Sequence, residues 1–240
     1  MSTAFPFYLA RTAAEFSPGE EPSGACAWMA CHFSVYGTGL SNLPETLPPG
    51  SMVILNDRIP VHGHDPELIL SQLHALTERI RPECILLDFQ RPSDPRTARI
   101  AAALDGFSGC PLGVSELYAE PLGCPVFLPP PPPDCPPEKW FAPWQGRELW
   151  LEAALERTVV TLTEDGAHRE ALEYAAPPED CFPAPGLFSR YRIRLTESTA
   201  QFHLYRTKEE LSALLKKAGA LGVTRAVGLY QQLGDYSPFL

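Results

Sequence analysis

Short apolar runs recur along the chain and are separated by segments with helical periodicity. Several runs are continuously apolar rather than alternating, which is typical of parallel strands buried on both faces. The pattern predicts seven strands: Phe5–Ala10, Cys26–Phe33, Met52–Leu55, Cys84–Phe89, Leu112–Ser115, Val126–Leu128 and Val223–Leu229. An eighth strand is predicted at Glu148–Leu151, although that segment suits a helix equally well.

The helices between these runs have marked beginnings. Asp65–Pro66 and Asp94–Pro95 each combine an N-cap residue with proline at the first helical position. Near the C-terminus, Thr207 and Glu210 have the spacing of a capping box. Strands that alternate with helices in this way predict right-handed βαβ units.

About eight strands in a chain of 240 residues favour one domain, residues 1–240, built as a closed (β/α)8 TIM-like barrel. The alternative is an open, doubly wound sheet. No GxGxxG or GxxxxGKS/T motif follows a predicted strand, which weighs against the dinucleotide-binding and P-loop versions of that sheet.

One stretch interrupts the alternation of strands and helices. Thr158–Thr163 and Ala167–Tyr174 flank a turn and resemble a β-hairpin. Tyr191–Leu195 and Gln201–Tyr205 resemble a second hairpin. We therefore expect a small antiparallel insertion, residues 157–206, ahead of the last barrel unit.

Composition narrows the possible partners. The formal net charge of −10 and the short, interrupted basic clusters argue against a nucleic-acid partner. No apolar run reaches the roughly 18 residues of a membrane helix, and the N-terminus lacks the pattern of a secretory signal. Seven cysteines at scattered spacings, without a CxxC pair, favour reduced thiols in the cytoplasm. We expect no cofactor and no metal site, and the oligomeric state stays open.

Prolines are concentrated in one segment, with five in succession at Pro129–Pro133 and two more at Pro136–Pro137. Such a run forms polyproline II helix, donates no backbone hydrogen bonds and must lie outside the sheet. It is either a docking peptide for a partner or, as we favour, a stiff connector that leaves a strand. Trp140, Trp144 and Trp150 follow it, as a sugar-stacking platform or as anchors of the connector.

Polar residues at the ends of the predicted strands are the candidate site, because ligands bind at the C-terminal end of a parallel barrel. These residues are His32, Asp57, Asp88, Gln90, Glu116, Tyr118 and Tyr230. Asp88 is the most suggestive, since it follows a fully apolar run and a buried carboxylate needs a partner or a ligand.

The segment Cys84–Gln90, CILLDFQ, resembles the fourth barrel strand of family 18 glycoside hydrolases, the chitinase-like group, whose signature is DGxDxDxE. An antiparallel insertion before the last barrel unit also occurs in many members of that family. The C-terminal segment Lys208–Gly234 is similar to the family's closing helix and strand. The resemblance implies a TIM barrel that holds a saccharide at its mouth.

The same resemblance indicates altered chemistry. Asp88 takes the place of the aspartate that orients the substrate's N-acetyl group, whereas Gln90 takes the place of the glutamate that protonates the glycosidic oxygen. Leu86 replaces the middle aspartate of the signature, and Tyr230 replaces the tryptophan beneath the sugar. A carboxamide has no proton to give as a general acid.

Three functions follow from this pattern. We favour a non-catalytic saccharide-binding pseudoenzyme, whose mouth is lined by Asp88, Gln90, Glu116 and Tyr230. The second is an active glycoside hydrolase in which Glu116 or Asp57 acts with Asp88. The third is a protein-interaction scaffold that uses Pro129–Pro137 and has no small-molecule site.

Overall fold

A computed structural model describes residues 5–16, 25–92, 94–196 and 199–238. Its strands are β1 (Phe7–Arg11), β2 (Cys26–Phe33), β3 (Leu40–Ser41), β4 (Met52–Asn56), β5 (Cys84–Asp88), β6 (Leu112–Ser115), β7 (Val126–Leu128), β8 (Leu149–Ala153), β9 (Glu156–Thr163), β10 (Gly166–Leu172), β11 (Phe182–Ala184), β12 (Ser189–Leu195), β13 (Ala200–Arg206) and β14 (Val223–Leu229). Its helices are α1 (Pro66–Ile80), α2 (Pro95–Leu104), α3 (Glu116–Ala119), α4 (Pro137–Phe141), α5 (Lys208–Ala220) and α6 (Tyr230–Leu233).

Eight parallel strands form a closed barrel in the order β1, β14, β8, β7, β6, β5, β4, β2, and β1 also pairs with β2. The predicted (β/α)8 barrel is therefore confirmed. The segment that suited strand or helix is the strand β8. The short strand β3, which pairs antiparallel with β2, was not predicted, because two residues are too few to show a pattern.

Side chains alternate between the inside of the barrel and the helix layer, as the period of two in a strand requires. The inward residues form one buried cluster, and the outward residues form a larger one beneath the helices. The inward cluster contains Tyr8, Ala10, Ala27, Met52, Ile54, Cys84, Leu86, Phe127, Trp150 and Val227.

The largest fully buried side chain is Trp150, on the inner face of β8. It lies against Gly113 of β6, where an added Cβ would come within 2.6 Å of the indole Cε3. A glycine in β6 therefore leaves the space that the indole fills, and the middle of the barrel is a packed core.

The helix starts are built as the sequence predicts. The Asp65 carboxylate accepts from the backbone N–H of Glu67 at the start of α1, and the Asp94 carboxylate accepts from that of Arg96 at the start of α2. The capping box at Thr207 opens α5. Along the chain α1 precedes β5 and α2 follows it, and both helices pack against the outward-facing strand residues.

Between β8 and α5 lies a second, antiparallel sheet in the order β10, β9, β13, β12, β11. The two predicted hairpins are joined through β9 and β13, which pair from Ala200 opposite Leu162 to Arg206 opposite Glu156. Arg206 is completely buried at the base of this sheet and forms an ion pair with Glu156.

The proline-rich segment packs against the protein. Pro131, Pro133 and Pro137 are buried. The Pro129 carbonyl accepts from the Trp140 indole at 3.1 Å, and the Pro133 carbonyl accepts from a buried serine of β12 at 3.0 Å. These contacts support a connector that is anchored by Trp140.

Within the described ranges, none of the helices combines the length and the apolar character that crossing a membrane demands.

Candidate functional site

A cavity of about 730 Å3 opens at the C-terminal end of the barrel strands. Its volume lies within the usual range for small-molecule sites. The apolar part of its wall includes Ala10, Met29, Ile54, Leu86, Phe127, Val227 and Leu229. The polar and charged side chains that line it are Thr12, His32, Asn42, Asn56, Asp57, Arg58, Asp88, Gln90 and Glu152.

Asp88 is the last residue of β5 and lies one inward position above Leu86. The Gln90 side-chain amide donates a hydrogen bond to its Oδ1 at 2.5 Å. Burial raises the pKa of Asp88, and the negative charge of Asp57 raises it further, while the Gln90 hydrogen bond lowers it. The carboxyl group thus faces the cavity with Gln90 as its hydrogen-bond donor.

Asp57 follows β4 directly and is almost completely buried. Its two carboxylate oxygens accept from the backbone N–H groups of Gln90 and Arg91, each at 2.9 Å. The Arg91 guanidinium donates to the backbone carbonyls of Asp57 and Arg58, both at 3.0 Å. Asp57 therefore holds the loop after β5 and positions Gln90 over the cavity.

Glu152 also lines the cavity, on β8, and was not among the predicted site residues. It is the next inward-facing residue after Trp150. Burial raises the pKa of Glu152 to about 7, and the negative charge of Asp88 adds to the increase. In the sequence Glu152 is a lone acid at the end of an apolar run. It was not predicted as a site residue because that run suits a helix as well as a strand.

A bulge in β2 shapes one wall of the cavity. The pairing of β2 with β4 shifts register between Trp28 and Cys31, so Met29 and Ala30 together lie opposite the single residue Ile54, and both line the cavity. The Asn56 side-chain amide donates to the backbone carbonyls of Met29 and Cys31, at 3.0 and 2.9 Å. Asn56 thereby satisfies backbone groups that the bulge would otherwise leave unpaired.

His32 lies at the rim, where its two ring nitrogens are already engaged. Nδ1 is 2.7 Å from the Phe33 carbonyl oxygen, and Nε2 is 3.0 Å from the Asn42 side-chain nitrogen. The backbone carbonyl of Asn42 accepts from the Trp28 indole at 2.8 Å. Hydrogen bonds therefore hold His32 and Asn42 as a polar edge of the cavity.

The other three predicted residues are not among those that line the cavity. Glu116 begins α3, where burial raises its pKa. The Tyr118 ring is buried, and its hydroxyl donates to the backbone carbonyl of Arg91. Tyr230 begins α6 with the Arg11 guanidinium stacked on its ring, 3.9 Å from the centroid.

The structure thus brings together four predicted residues, His32, Asp57, Asp88 and Gln90, and adds Glu152. Carboxyl and amide groups above an apolar wall can hydrogen-bond ligand hydroxyl or amine groups while the wall contacts ligand carbon atoms. Across the described ranges there is no group of three or more histidine, cysteine or acidic side chains that could hold a metal ion.

No protein-family model matches the chain, and no curated protein matches it significantly. Solved structures do match over almost the whole chain. The chitinase-like agglutinin of Robinia pseudoacacia has a TM-score of 0.55 at 10% identity, covering 96% of this chain and 95% of that one. The spore cortex-lytic enzyme SleL of Bacillus cereus has a TM-score of 0.54 at 10% identity, covering 98% of this chain and 72% of that one.

A plant class V chitinase mutant from Cycas revoluta, in complex with (GlcNAc)3, has a TM-score of 0.52 at 12% identity, covering 94% of each chain. At such identities these similarities establish the fold alone. The chain has the barrel fold of chitinases and chitinase-like proteins.

Proposed function

We propose that this protein binds a saccharide at the barrel mouth and does not cleave it through the family's acid position. The observation that carries the proposal is the placement of Gln90. Its amide faces the cavity and donates to Asp88, so a neutral group stands where the resemblance expects the proton donor. An amide can bind a sugar hydroxyl but supplies no catalytic proton.

The composition of the cavity supports a saccharide. Sugars present hydroxyl groups around an apolar ring face, and this cavity offers carboxyl and amide groups above an apolar wall that includes Phe127 and Met29. The matched structures support the same class of ligand, since one is a chitinase in complex with (GlcNAc)3 and another is a chitinase-like agglutinin.

The second candidate is an active glycoside hydrolase, and the observation that favours it is the carboxyl pair of Asp88 and Glu152. Two carboxyl groups with different proton affinities are the requirement of most glycosidases. Glu152, with a pKa raised to about 7, would be the acid. Glu116 does not line the cavity, and both oxygens of Asp57 are held by backbone N–H groups.

The scaffold hypothesis receives less support. The proline-rich segment is anchored to Trp140 and to the antiparallel sheet, which reduces the surface that a partner could contact. We further propose that the chain acts as one domain in the cytoplasm. All seven cysteines are free, which supports a reducing compartment.

Calorimetric titration with glucosamine and N-acetylglucosamine trimers tests binding, and release of an aryl group from aryl glycosides tests cleavage. We expect saturable binding of at least one trimer and no cleavage. Cleavage that is lost in both Asp88→Asn and Glu152→Gln, but kept in the control Glu170→Gln on the exposed strand β10, would establish the hydrolase instead. No binding of either trimer at millimolar concentration would overturn the saccharide proposal.

A further inference from the structure

The charges that face the cavity are unbalanced. Of the five ionisable side chains that line it, three are carboxyl groups, one is an arginine at the exposed rim and one is a histidine. These residues are Asp57, Asp88, Glu152, Arg58 and His32. The other neighbours of Glu152 in the cavity wall, on β7 and β14, carry no titratable group.

The three carboxyl groups differ in how they are compensated. Each carboxylate oxygen of Asp57 accepts a backbone hydrogen bond, from Gln90 and from Arg91, so its charge is satisfied within the protein. Asp88 accepts one hydrogen bond, from the neutral Gln90 amide. In the part of the chain that the structure describes, Glu152 accepts none, and neither it nor Asp88 forms an ion pair.

Asp88 and Glu152 are partly buried, and two partly buried carboxylates that share a cavity without a cation repel each other, a cost that a proton or a ligand cation removes. Asp88 and Glu152 occupy the uppermost inward positions of β5 and β8 and both border the same open cavity. A ligand can therefore reach both groups at once. An ammonium has donors for two carboxylates and the opposite charge, whereas an acetamido group has one donor and no charge.

We propose that the saccharide bound in this cavity carries a free amino group, with its ammonium held between the carboxylates of Asp88 and Glu152. This inference rests on the proposed saccharide-binding function and specifies its ligand class as amino sugars without the acetyl group. Binding displaces the proton that the pair holds in the empty cavity. The affinity for an amino sugar therefore rises from pH 5.5 towards neutral pH and falls again where the ligand's own amine loses its proton, whereas that for a neutral sugar stays level or falls.

The test is calorimetric titration of the full chain with the glucosamine trimer and the N-acetylglucosamine trimer at pH 5.5 and pH 7.5. We expect the glucosamine trimer to bind at least about tenfold more tightly than the N-acetylglucosamine trimer at pH 7.5. At pH 5.5, titrations of the glucosamine trimer in two buffers should show proton release on binding. Glu152→Gln should remove most of that preference and of the pH dependence. The control Glu170→Gln should behave like the wild type.

Each other outcome overturns the inference. If the N-acetylglucosamine trimer binds as tightly as the glucosamine trimer at pH 7.5, the amino-sugar assignment fails while the saccharide function stands. The amino-sugar assignment also fails if Glu152→Gln still prefers the glucosamine trimer and its affinity for that trimer keeps the pH dependence of the wild type. If neither trimer binds at millimolar concentration, the proposed function fails with it.

Discussion

Glu152 at the end of β8 and Asp88 at the end of β5 line the same cavity at the top of the barrel, and their carboxyl groups interact electrostatically. The negative charge of Asp88 contributes to a pKa of about 7 for Glu152, after burial, which is the larger cause. Each residue stands one inward position above a large apolar side chain, Trp150 in one strand and Leu86 in the other. The period of two in a strand turns both acids inward, and the closure of the barrel brings them to the same cavity.

The pair should make the protein less stable at high pH. A glutamate has a pKa of about 4.3 when unfolded, so the folded chain holds more protons between that value and about 7. The free energy of unfolding therefore decreases as the pH rises through this window. We expect Glu152→Gln to be about 1–3 kcal/mol more stable than the wild type at pH 8, measured by urea unfolding, with a smaller difference at pH 5.

Glu170→Gln is the matched control, because Glu170 is exposed on β10. Its free energy of unfolding should follow that of the wild type at both pH values. A Glu152→Gln variant that is less stable than the wild type at pH 8 would show that the ionised carboxylate is favourable in the folded protein.

Asp57 should matter more for the loop after β5 than for ligand contact. In Asp57→Asn one of the two acceptor oxygens becomes an NH2 group, which cannot accept from the backbone N–H of Gln90 or Arg91, so one hydrogen bond is lost. We expect a loss of about 1–3 kcal/mol in the free energy of unfolding. Asp105→Asn is the control, since its exposed carboxylate also accepts from a backbone N–H, that of Gly123, and its loss should be smaller. Equal losses would refute the assigned role.

Gln90→Glu restores a titratable proton at the position where the resemblance expects the acid. If the carboxamide is what prevents cleavage, hydrolysis of an aryl chito-oligosaccharide should increase by about 10²–10⁴-fold over the wild type. Gln90→Met, which has similar length and no proton, is the control and should stay inactive. A Gln90→Glu variant that binds saccharide normally but gains no activity would show that other groups are also missing.

Gly113 should be required for the packed interior of the barrel. Gly113→Ala brings a Cβ to within 2.6 Å of the Trp150 ring, and the indole must move. We expect a loss of about 1–3 kcal/mol in the free energy of unfolding and altered near-ultraviolet circular dichroism. Gly63→Ala is the control, because a Cβ there meets nothing within 4 Å. An unperturbed Gly113→Ala spectrum would contradict the packing described.

Much of the barrel was predictable from the sequence, since buried parallel strands are continuously apolar and Asp–Pro pairs mark helix starts. Seven apolar runs correspond to seven barrel strands. The eighth strand, β8, begins at Leu149, one residue after the predicted start at Glu148. The bulge at Met29 and Ala30 was not predictable, because it depends on the register with β4 and on the Asn56 amide.

The site was predictable only in part. Strand-end position identified Asp88, Gln90 and Asp57, but it does not reveal which way a residue after the strand points. Tyr230 therefore lies beneath Arg11 rather than in the cavity lining. Glu152 was missed because its pairing with Asp88 arises from the closure of the barrel, which brings distant strands together.

The most direct test of saccharide binding is nuclear magnetic resonance titration of the full chain, observing the Met29 methyl and the Phe127 ring, which line the cavity. With the glucosamine trimer at pH 7.5, the account predicts saturable shifts of both signals, while the methyl of Met52, buried deeper in the barrel, changes little. Unchanged Met29 and Phe127 signals with either trimer at millimolar concentration would contradict the account.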